Sequence, residues 1–362
     1  MRPRSTAQTA IQATAQTTLA YGAGQIARVG WYLGHYAATR RWFARHQPAP
    51  SRRSLRGRLM GARIQAALAK GALALMARDL ANVRAGRYPL PRDLIPPPFA
   101  ATRDAVRYWR DLPRVAGRRA SKTAQEPIDE TTRDAYPHYY LQNFHYQSGG
   151  WLTEESAALY DTQVEILFGG LADAMRRQAL VPLATSLANH GTPDGVGMRL
   201  LDLGTGTGNL LAMAAEAFPA LTLDGLDLSP AYLDRARRRL GARDVTWHQA
   251  PAEAMPLPDA SVDLITASFL FHELPANIRA QVLREAIRVL KPGGRVVIVD
   301  SLQLGDTPAL DPVLKSFPVQ FHEPYFQSWI ETDAAALFAK AGLTVQQTTV
   351  AYLSKVFVSD CV

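Results

Sequence analysis

The sequence predicts an α/β protein, a Rossmann-like, doubly wound sheet of seven strands preceded by a helical N-terminal region. From residue 198 onward, short apolar runs alternate with amphipathic helical segments, the pattern of a parallel sheet covered on both faces. A glycine-rich turn joins the first apolar run to a helix. We therefore predict two domains, a helical, basic capping domain at 1–150 and a ligand-binding sheet domain at 151–362.

Composition agrees with an ordinary globular protein of more than one average domain. The 362 residues are 47% hydrophobic and 20% charged, which excludes a disordered chain. The single cysteine, Cys361, allows no disulfide within the chain, and this favours a reducing compartment such as the cytoplasm. It also excludes a zinc site made of cysteines.

Charge is spread unevenly along the chain. Residues 1–150 carry 24 Lys and Arg against 8 Asp and Glu, whereas the remainder carries 16 against 24. A basic region of this kind could meet nucleic acid, an anionic membrane surface, or the acidic half of its own chain.

The N-terminal region is predicted to be mostly helical. Residues 19–38 are moderately apolar but are interrupted by Gln25, Arg28 and His35, which favours an amphipathic helix lying on the protein or on a bilayer over a spanning helix. Residues 53–85 show helical spacing, and the prolines between 89 and 98 end that helix. The polar residues that follow lead into an exposed connection at 122–134.

An unusual aromatic run, YPHYYLQNFHYQSGGW at 136–151, precedes the second half of the chain. Thr153 is predicted to cap a helix that continues through Met175 and ends before Pro182. Loops normally contain small polar residues, so rings and amides at 136–151 suggest a binding role.

Five strand-like runs then alternate with predicted helices at 208–217, 230–240 and 275–290, and the connection at 302–331 is unusually long. A helix at 332–341 precedes a last segment that folds back on itself as two strands. The five strand-like runs are MRLLDL, LTLDGLDL, DVTWHQ, VDLITASF and RVVIVDSL.

The glycine-rich turn LLDLGTGTGNL at 200–210 predicts a nucleoside site. Gly204, Gly206 and Gly208 let the backbone turn tightly and approach a ligand closely. Asp227 ends the next strand, where a carboxylate can accept hydrogen bonds from both hydroxyls of a ribose. The spacing differs from the GxGxxG pattern of dinucleotide enzymes, so a nicotinamide cofactor is disfavoured.

The pattern DxGxGxG, together with LDLSPAYLDRA, AEAMPLPDASVDLI and VLKPGGRVVIVD, resembles class I S-adenosyl-L-methionine (SAM)-dependent methyltransferases. The likeness covers about residues 198–300 and is nearest to the ubiquinone/menaquinone-type small-molecule branch. It implies SAM as cofactor. The implied cofactor contacts are Asp202 toward the amino group, the three glycines and Thr205 around the methionine and ribose portions, Asp227 at the ribose, Leu228 at the adenine, Ala252, Glu253 and Ser268.

One position departs from that family pattern. Many relatives carry an acid just before AEAMP to accept from the adenine amino group, and this chain has Pro251. Adenine recognition would then depend on the backbone of Ala252 or on Glu253.

His272 and Glu273 follow the fourth strand and are the candidate catalytic residues, because ligands of open parallel sheets bind beyond the carboxyl ends of the strands. A histidine is the natural base if the acceptor must lose a proton. Alternatively, both residues cap the following helix. With His322 and Glu323 they could also bind a metal, but adjacent His–Glu pairs have no metal-specific spacing, so we predict no metal.

The aromatic run is predicted to be a lid over the cofactor that also builds the acceptor site, with Gly149 and Gly150 as its hinge. The alternative is that these rings pack the N-terminal helices onto the sheet. The predicted acceptor-binding residues are Tyr140, Asn143, His145, Tyr146, Trp151, His322 and Tyr325.

These observations predict a methyltransferase that acts on a small or lipid-like acceptor, such as a quinone precursor, isoprenoid or polyketide. The rivals are an RNA or protein methyltransferase that uses the basic half, and a non-catalytic scaffold with this fold. We expect no nucleic-acid partner, a cytoplasmic location, and peripheral membrane contact, if any, through residues 1–50. The sequence leaves the oligomeric state open.

Overall fold

The computed structural model describes residues 6–46, 54–95, 97–121, 130–142 and 144–361. Its centre is one seven-stranded sheet, which confirms the predicted fold class. The strands are β1 (Arg199–Leu203), β2 (Thr222–Asp227), β3 (Val245–Gln249), β4 (Val262–Ser268), β5 (Leu290–Ser301), β6 (Leu343–Ala351) and β7 (Ser354–Cys361). Their order is β3-β2-β1-β4-β5-β7-β6, with β1 to β5 parallel and β7 antiparallel to both neighbours.

Helices cover both faces of the sheet, so its central strands are apolar on both sides. Leu200 packs into one buried cluster, whereas Leu201 and Leu203 pack into the cluster on the opposite face. The helices are α1 (Thr6–His46), α2 (Leu55–Arg84), α3 (Pro98–Ser121), α4 (Glu130–Ala135), α5 (Glu154–Leu167), α6 (Ala172–Arg177), α7 (Leu180–Asn189), α8 (Asn209–Ala217), α9 (Pro230–Leu240), α10 (Ala276–Val289), α11 (Asp311–Phe321), α12 (Phe326–Ile330) and α13 (Ala334–Ala341).

Thr153 caps α5 as predicted, since its hydroxyl accepts from the Ser156 amide at 3.2 Å. The prediction of one helix through Met175 is wrong, because the chain breaks at Gly169 and Gly170, which have positive φ. A side chain at Gly170 would stand 3.1 Å from the Arg28 carbonyl, so the break lets α1 pack closely here.

Two other stretches contain helices that the sequence patterns did not predict. Helix α3 lies in the polar segment after residue 97, and its Tyr108 and Leu112 pack against Leu159 and Ile166 of α5. The long connection at 302–331 contains α11 and α12. The predicted exposed connection at 122–134 lies mostly outside the described residues, and α4 occupies its end.

Buried ion pairs tie the N-terminal helices to the sheet domain. Arg28 of α1 contacts Glu165 at 2.7 Å and Asp173 at 2.6 Å. On α2, Asp79 is fully buried; it pairs with Arg177 at 2.7 Å and accepts hydrogen bonds from the hydroxyls of Tyr21 and Tyr88. Arg28, which interrupts the apolar sequence of α1, is therefore buried against the sheet domain and does not face solvent. The division at residue 150 stays a prediction.

Candidate active site

A cleft lies at the carboxyl ends of β1, β2 and β4, where open parallel sheets bind ligands. Most of the residues that the sequence assigned to the cofactor line it, and so do Tyr140 and Trp151 of the aromatic run. The predicted cofactor residues that line the cleft are Gly204, Gly206, Asp227, Leu228, Ala252, Glu253 and Ser268.

The three glycines of the turn have different surroundings. A Cβ at Gly206 would meet nothing closer than the Gly204 carbonyl at 3.8 Å, so its backbone faces open space in the cleft. A Cβ at Gly208 would stand 2.9 Å from the Ala236 Cβ. Gly208 therefore permits α8 and α9 to pack, and it does not line the cleft.

Asp227 closes the turn at the end of β2. Its carboxylate accepts from the amides of Gly206 and Ser229, each at 2.8 Å. Burial raises the pKa of Asp227 to about 6, against the opposing effect of these hydrogen bonds, so the group is ionised at neutral pH. Each carboxylate oxygen retains a lone pair for a further donor, such as a ribose hydroxyl.

Asp202 and Thr205 lie beneath the turn rather than in the cleft. Asp202 is buried and accepts from the hydroxyls of Thr205 at 2.8 Å and Thr266 at 2.7 Å. It joins the glycine turn to β4, so its predicted contact with a ligand amino group would need an intervening water.

The far end of the cleft offers an unused acceptor. One oxygen of Glu253 accepts from the Tyr139 hydroxyl at 2.6 Å, while Oε2 is buried without a hydrogen-bond partner. Pro251, which departs from the family pattern, lines the same end. A buried carboxylate oxygen with no donor suits an amino group such as that of adenine.

A second, larger cavity adjoins the cleft, and the two share Tyr160, Phe269 and Glu273 in their walls. Its volume is about 460 Å³, within the range of small-molecule sites. The walls are predominantly apolar and come from distant segments, including Leu68 and Met76 of α2 and, from α11, Phe317.

His272 lies in the wall of this cavity, and Glu273 lines both spaces. The Nδ1 atom of His272 is 2.7 Å from Oδ1 of Asp300, at the end of β5, so Nδ1 carries the hydrogen toward the carboxylate. Its Nε2 atom is 3.9 Å from Oε1 of Glu273. Neither residue serves as a side-chain cap of α10, which begins after Pro275.

The charge state of this group follows from its neighbours. Burial by itself lowers the pKa of His272, but the charge and hydrogen bond of Asp300, with Glu273 and Glu323, raise it to about 9. Burial raises the pKa of Glu273 well above its ordinary value. At neutral pH His272 is therefore an imidazolium where the cleft and the cavity meet, and its Nε2–H can donate a hydrogen bond.

The aromatic run takes part in both walls and in packing. Tyr140 and Trp151 line the cleft, and His145 lines the larger cavity, with its Nε2 3.0 Å from Oε1 of the buried Glu323. Trp151 also packs with Phe144 and Tyr232 in a buried cluster. The run therefore lines both spaces in part, and its buried rings pack against α9.

The four other predicted acceptor residues lie behind these walls or outside the described residues. Tyr146 is buried with its ring centroid 5.5 Å from that of His322, and neither lines the cleft or the cavity. Tyr325 packs beside Phe144 and likewise lines neither. Asn143 lies outside the described residues.

Among the residues that the structure describes, no group of three or more His, Cys, Asp or Glu side chains is arranged to hold a metal ion. Sequence reasoning missed Asp300, Tyr160 and Phe269. The rule that places ligands at the carboxyl ends of strands applies equally to Asp300, at the end of β5, so the signal was present. The residues of α2 that line the cavity carry no such signal.

Two family profiles match parts of this chain. A family profile described as a methyltransferase domain matches residues 200–294. A profile for a tetratrico peptide repeat matches 151–231, but that range contains β1 and β2, which helical repeats lack.

Among curated relatives, demethylmenaquinone methyltransferase of Thermus thermophilus is 38% identical over 148 residues, covering 40% of this chain and 62% of the relative. The enzyme of the same description from Thermotoga maritima is 32% identical over 179 residues, covering 49% and 69%. A crystal structure of a SAM-dependent methyltransferase from Aquifex aeolicus aligns with a TM-score of 0.38 at 25% identity, over 51% of this chain and 93% of that one.

Proposed function

The chain belongs to the class I SAM-dependent methyltransferases of the ubiquinone/menaquinone type, and on that premise we propose that it methylates a small, lipid-like acceptor with an acidic hydroxyl on its head group. Quinone precursors fit this description best, and isoprenoids and polyketides are the other members of the class. The observation that carries the proposal is the apolar cavity of about 460 Å³ that meets the cofactor cleft at Glu273.

SAM is the cofactor of this family, and the cleft fits it. Asp227 would accept from the ribose hydroxyls, and the free oxygen of Glu253 from the adenine amino group. The open backbone at Gly206 leaves room for the ligand to approach the turn. The Tyr140 hydroxyl, which is buried near Asp227 and Ser229, is a further donor for a bound ligand.

The acceptor would occupy the larger cavity with its head group toward Glu273 and His272. We propose that residues 1–150 cap this cavity and that residues 151–362 hold the cofactor, since α1 and α2 provide one wall and α5, α11 and the ends of the strands provide the other. Walls of this composition suit an apolar tail and leave few polar contacts to orient the head.

The chemistry follows from the protonation states at the junction. SAM, when bound, would supply a methyl group on a sulfonium; a nucleophile of the acceptor bonds to the methyl carbon in line as the S–CH3 bond breaks, and S-adenosylhomocysteine is the leaving group. The Nε2–H of the His272 imidazolium would donate to the acceptor oxygen and stabilise its anionic form, while Asp300 holds the ring in orientation. The surrounding apolar walls exclude water, which strengthens this contact. The acidic hydroxyl would lose its proton to solvent before the acceptor is enclosed, so His272 acts by donating a hydrogen bond to the anion and not by removing a proton.

A methyl-labelled SAM assay tests the proposal. We expect label in a tailed quinol and in the lipid extract of cells, and none in bulk RNA or protein. Label in RNA or protein would favour the rival enzyme classes, and SAM binding without transfer to any fraction would favour a scaffold.

A cavity-filling variant sharpens this test. Ala72 lines the cavity, so Ala72→Phe should raise KM for a tailed acceptor by about tenfold, as expected for filling an apolar site. Ala339→Phe, at an exposed position of α13 that lines neither the cleft nor the cavity, is the matched control and should leave KM unchanged. The affinity for SAM should not move in either variant. Equal KM values in the two variants would contradict the assignment of the cavity.

A further inference from the structure

The outer faces of α1 and α2 are apolar and uncovered in the described structure. On α1, Leu19 and Ile26 are seven residues apart, hence on one side of the helix, and each is about three-quarters exposed (74% and 75%). On α2, Leu59, Ala66 and Leu73 repeat the same spacing, and the two leucines are 58% and 65% exposed. Single exposed leucines are common, but two aligned stripes on neighbouring helices indicate an interaction surface.

The charges beside these stripes have one sign. On α2, the exposed side chains of Arg56, Arg63 and Lys70 follow each other at intervals of seven and flank the apolar stripe. The described residues of the two helices include one acid, Asp79, which is fully buried. An apolar face bordered by basic residues is the pattern of helices that lie in the interface of an anionic bilayer.

The acceptor cavity opens at this surface. Leu33 of α1 continues the stripe of Leu19 and Ile26, lines the cavity, and is 48% exposed. Arg40 on α1, and Gln65 and Ala69 on α2, are likewise both exposed and part of the cavity wall. The mouth of the cavity therefore lies between the two helices, beside the apolar stripes.

Helix α2 is long and apolar enough to span a membrane by length and composition alone. Its inner side argues against spanning, because Asp79 forms a buried ion pair with Arg177 and Leu75 packs in the core beneath the sheet. A helix held in this way can present only its outer face to lipid.

We propose that the outer faces of α1 and α2 dock on the surface of an anionic phospholipid bilayer, so that the acceptor enters the cavity from the membrane. The route of entry rests on the proposed function, whereas the docking does not. This extends the membrane contact predicted for residues 1–50 to a second helix.

Sedimentation with phospholipid vesicles tests the docking without any methyl transfer. The full chain should sediment with vesicles of equal parts phosphatidylglycerol and phosphatidylcholine, and much less with phosphatidylcholine alone. Replacing Leu19, Ile26, Leu59 and Leu73 together by Gln should weaken binding by about tenfold or more, because the inserted apolar area is lost. The matched control, Val196→Gln with Val319→Gln, changes exposed valines elsewhere (56% and 80% exposed) and should bind as the wild type does.

A second variant separates charge from apolar contact. Arg56→Gln, Arg63→Gln and Lys70→Gln together should abolish the preference for phosphatidylglycerol, and wild-type binding should weaken with added salt. The proposal is overturned if wild type ignores anionic vesicles, or if the four-Gln variant binds them equally. It is also overturned if the four Gln substitutions turn a dimer into a monomer, since the apolar face would then join two copies of the chain.

Activity on a short, tail-free acceptor should stay unchanged in the four-Gln variant. That result separates the two proposals, because loss of vesicle binding with intact turnover concerns docking alone. If wild type binds vesicles but neither wild type nor any variant methylates the acceptor, the proposed function is contradicted and the docking is not.

Discussion

The cleft proposed for the cofactor and the cavity proposed for the acceptor share three wall residues but are built in different ways. Apart from a few residues of the aromatic run and α5, the cleft is lined by residues between 204 and 274, at the ends of adjacent parallel strands. The cavity takes its walls from α1, α2, α5, α11 and the turn between β6 and β7, segments separated by up to about 320 residues.

This difference predicts different sensitivities. The geometry of the cleft is fixed by the sheet, because its strands are held by continuous backbone hydrogen bonds. The cavity exists only while α1 and α2 stay attached, and buried ion pairs such as Asp79–Arg177 contribute to that attachment. Damage to these pairs should abolish acceptor binding before it affects the cofactor.

The largest expected effect tests this attachment. Asp79→Asn removes the buried carboxylate that pairs with Arg177 and accepts from the hydroxyls of Tyr21 and Tyr88, which should lower the free energy of unfolding by about 3–5 kcal/mol. Urea titration followed by circular dichroism measures it. Asp234→Asn, which removes an exposed ion pair with Arg237, is the control and should change stability by at most about 0.5 kcal/mol. A loss below about 1 kcal/mol for Asp79→Asn would show that the buried pair does not hold α2.

The second-largest expected effect concerns the cleft alone. Asp227→Ala removes the proposed acceptor of both ribose hydroxyls and should weaken SAM binding about 100-fold, the size expected for hydrogen bonds to a charged group. Calorimetry measures the affinity, with Asp244→Ala at an exposed position as control. Because burial raises the pKa of Asp227 to about 6, wild-type affinity should also fall as the pH is lowered through that value. Equal affinity of wild type and Asp227→Ala would refute the ribose assignment.

The smallest expected effect concerns the junction of the two spaces. The folded pKa of His272, about 9, exceeds the ordinary value near 6.5, so protonation of His272 stabilises the fold fully below about pH 6.5. That contribution is lost as the pH rises through 9. Asp300→Asn should bring the pKa back toward its ordinary value and flatten this dependence, as NMR titration of the imidazole would show.

The kinetics of the same variant provide a second test of the role of Asp300 at the junction. The kcat of Asp300→Asn should fall about tenfold to 100-fold with little change in SAM affinity, because the ring loses its orientation and its proton. An unchanged His272 pKa in this variant would remove Asp300 as the positioning residue.

The sequence predicted the sheet well because its signals are local. Alternating strands and helices between 198 and 300, the turn at Gly206 and the acid at Asp227 are each encoded within a few residues. Prediction from the sequence failed for α3 and for the break at Gly169, because packing against other helices decides the conformation there. Among candidate site residues, those at strand ends were placed in the cleft, whereas Tyr146, His322 and Tyr325 proved to lie behind the walls.

By itself the sequence determined the fold class and the cofactor, and it predicted the edge of the sheet that we propose as the cofactor site. Only the tertiary structure decided that Asp300 holds His272, that α1 and α2 complete an apolar cavity, and that its mouth opens between two apolar stripes. The physical reason is the range of the interactions. A glycine turn and a strand are specified by neighbouring residues, but a cavity wall is specified by side chains that become neighbours only after the chain has packed.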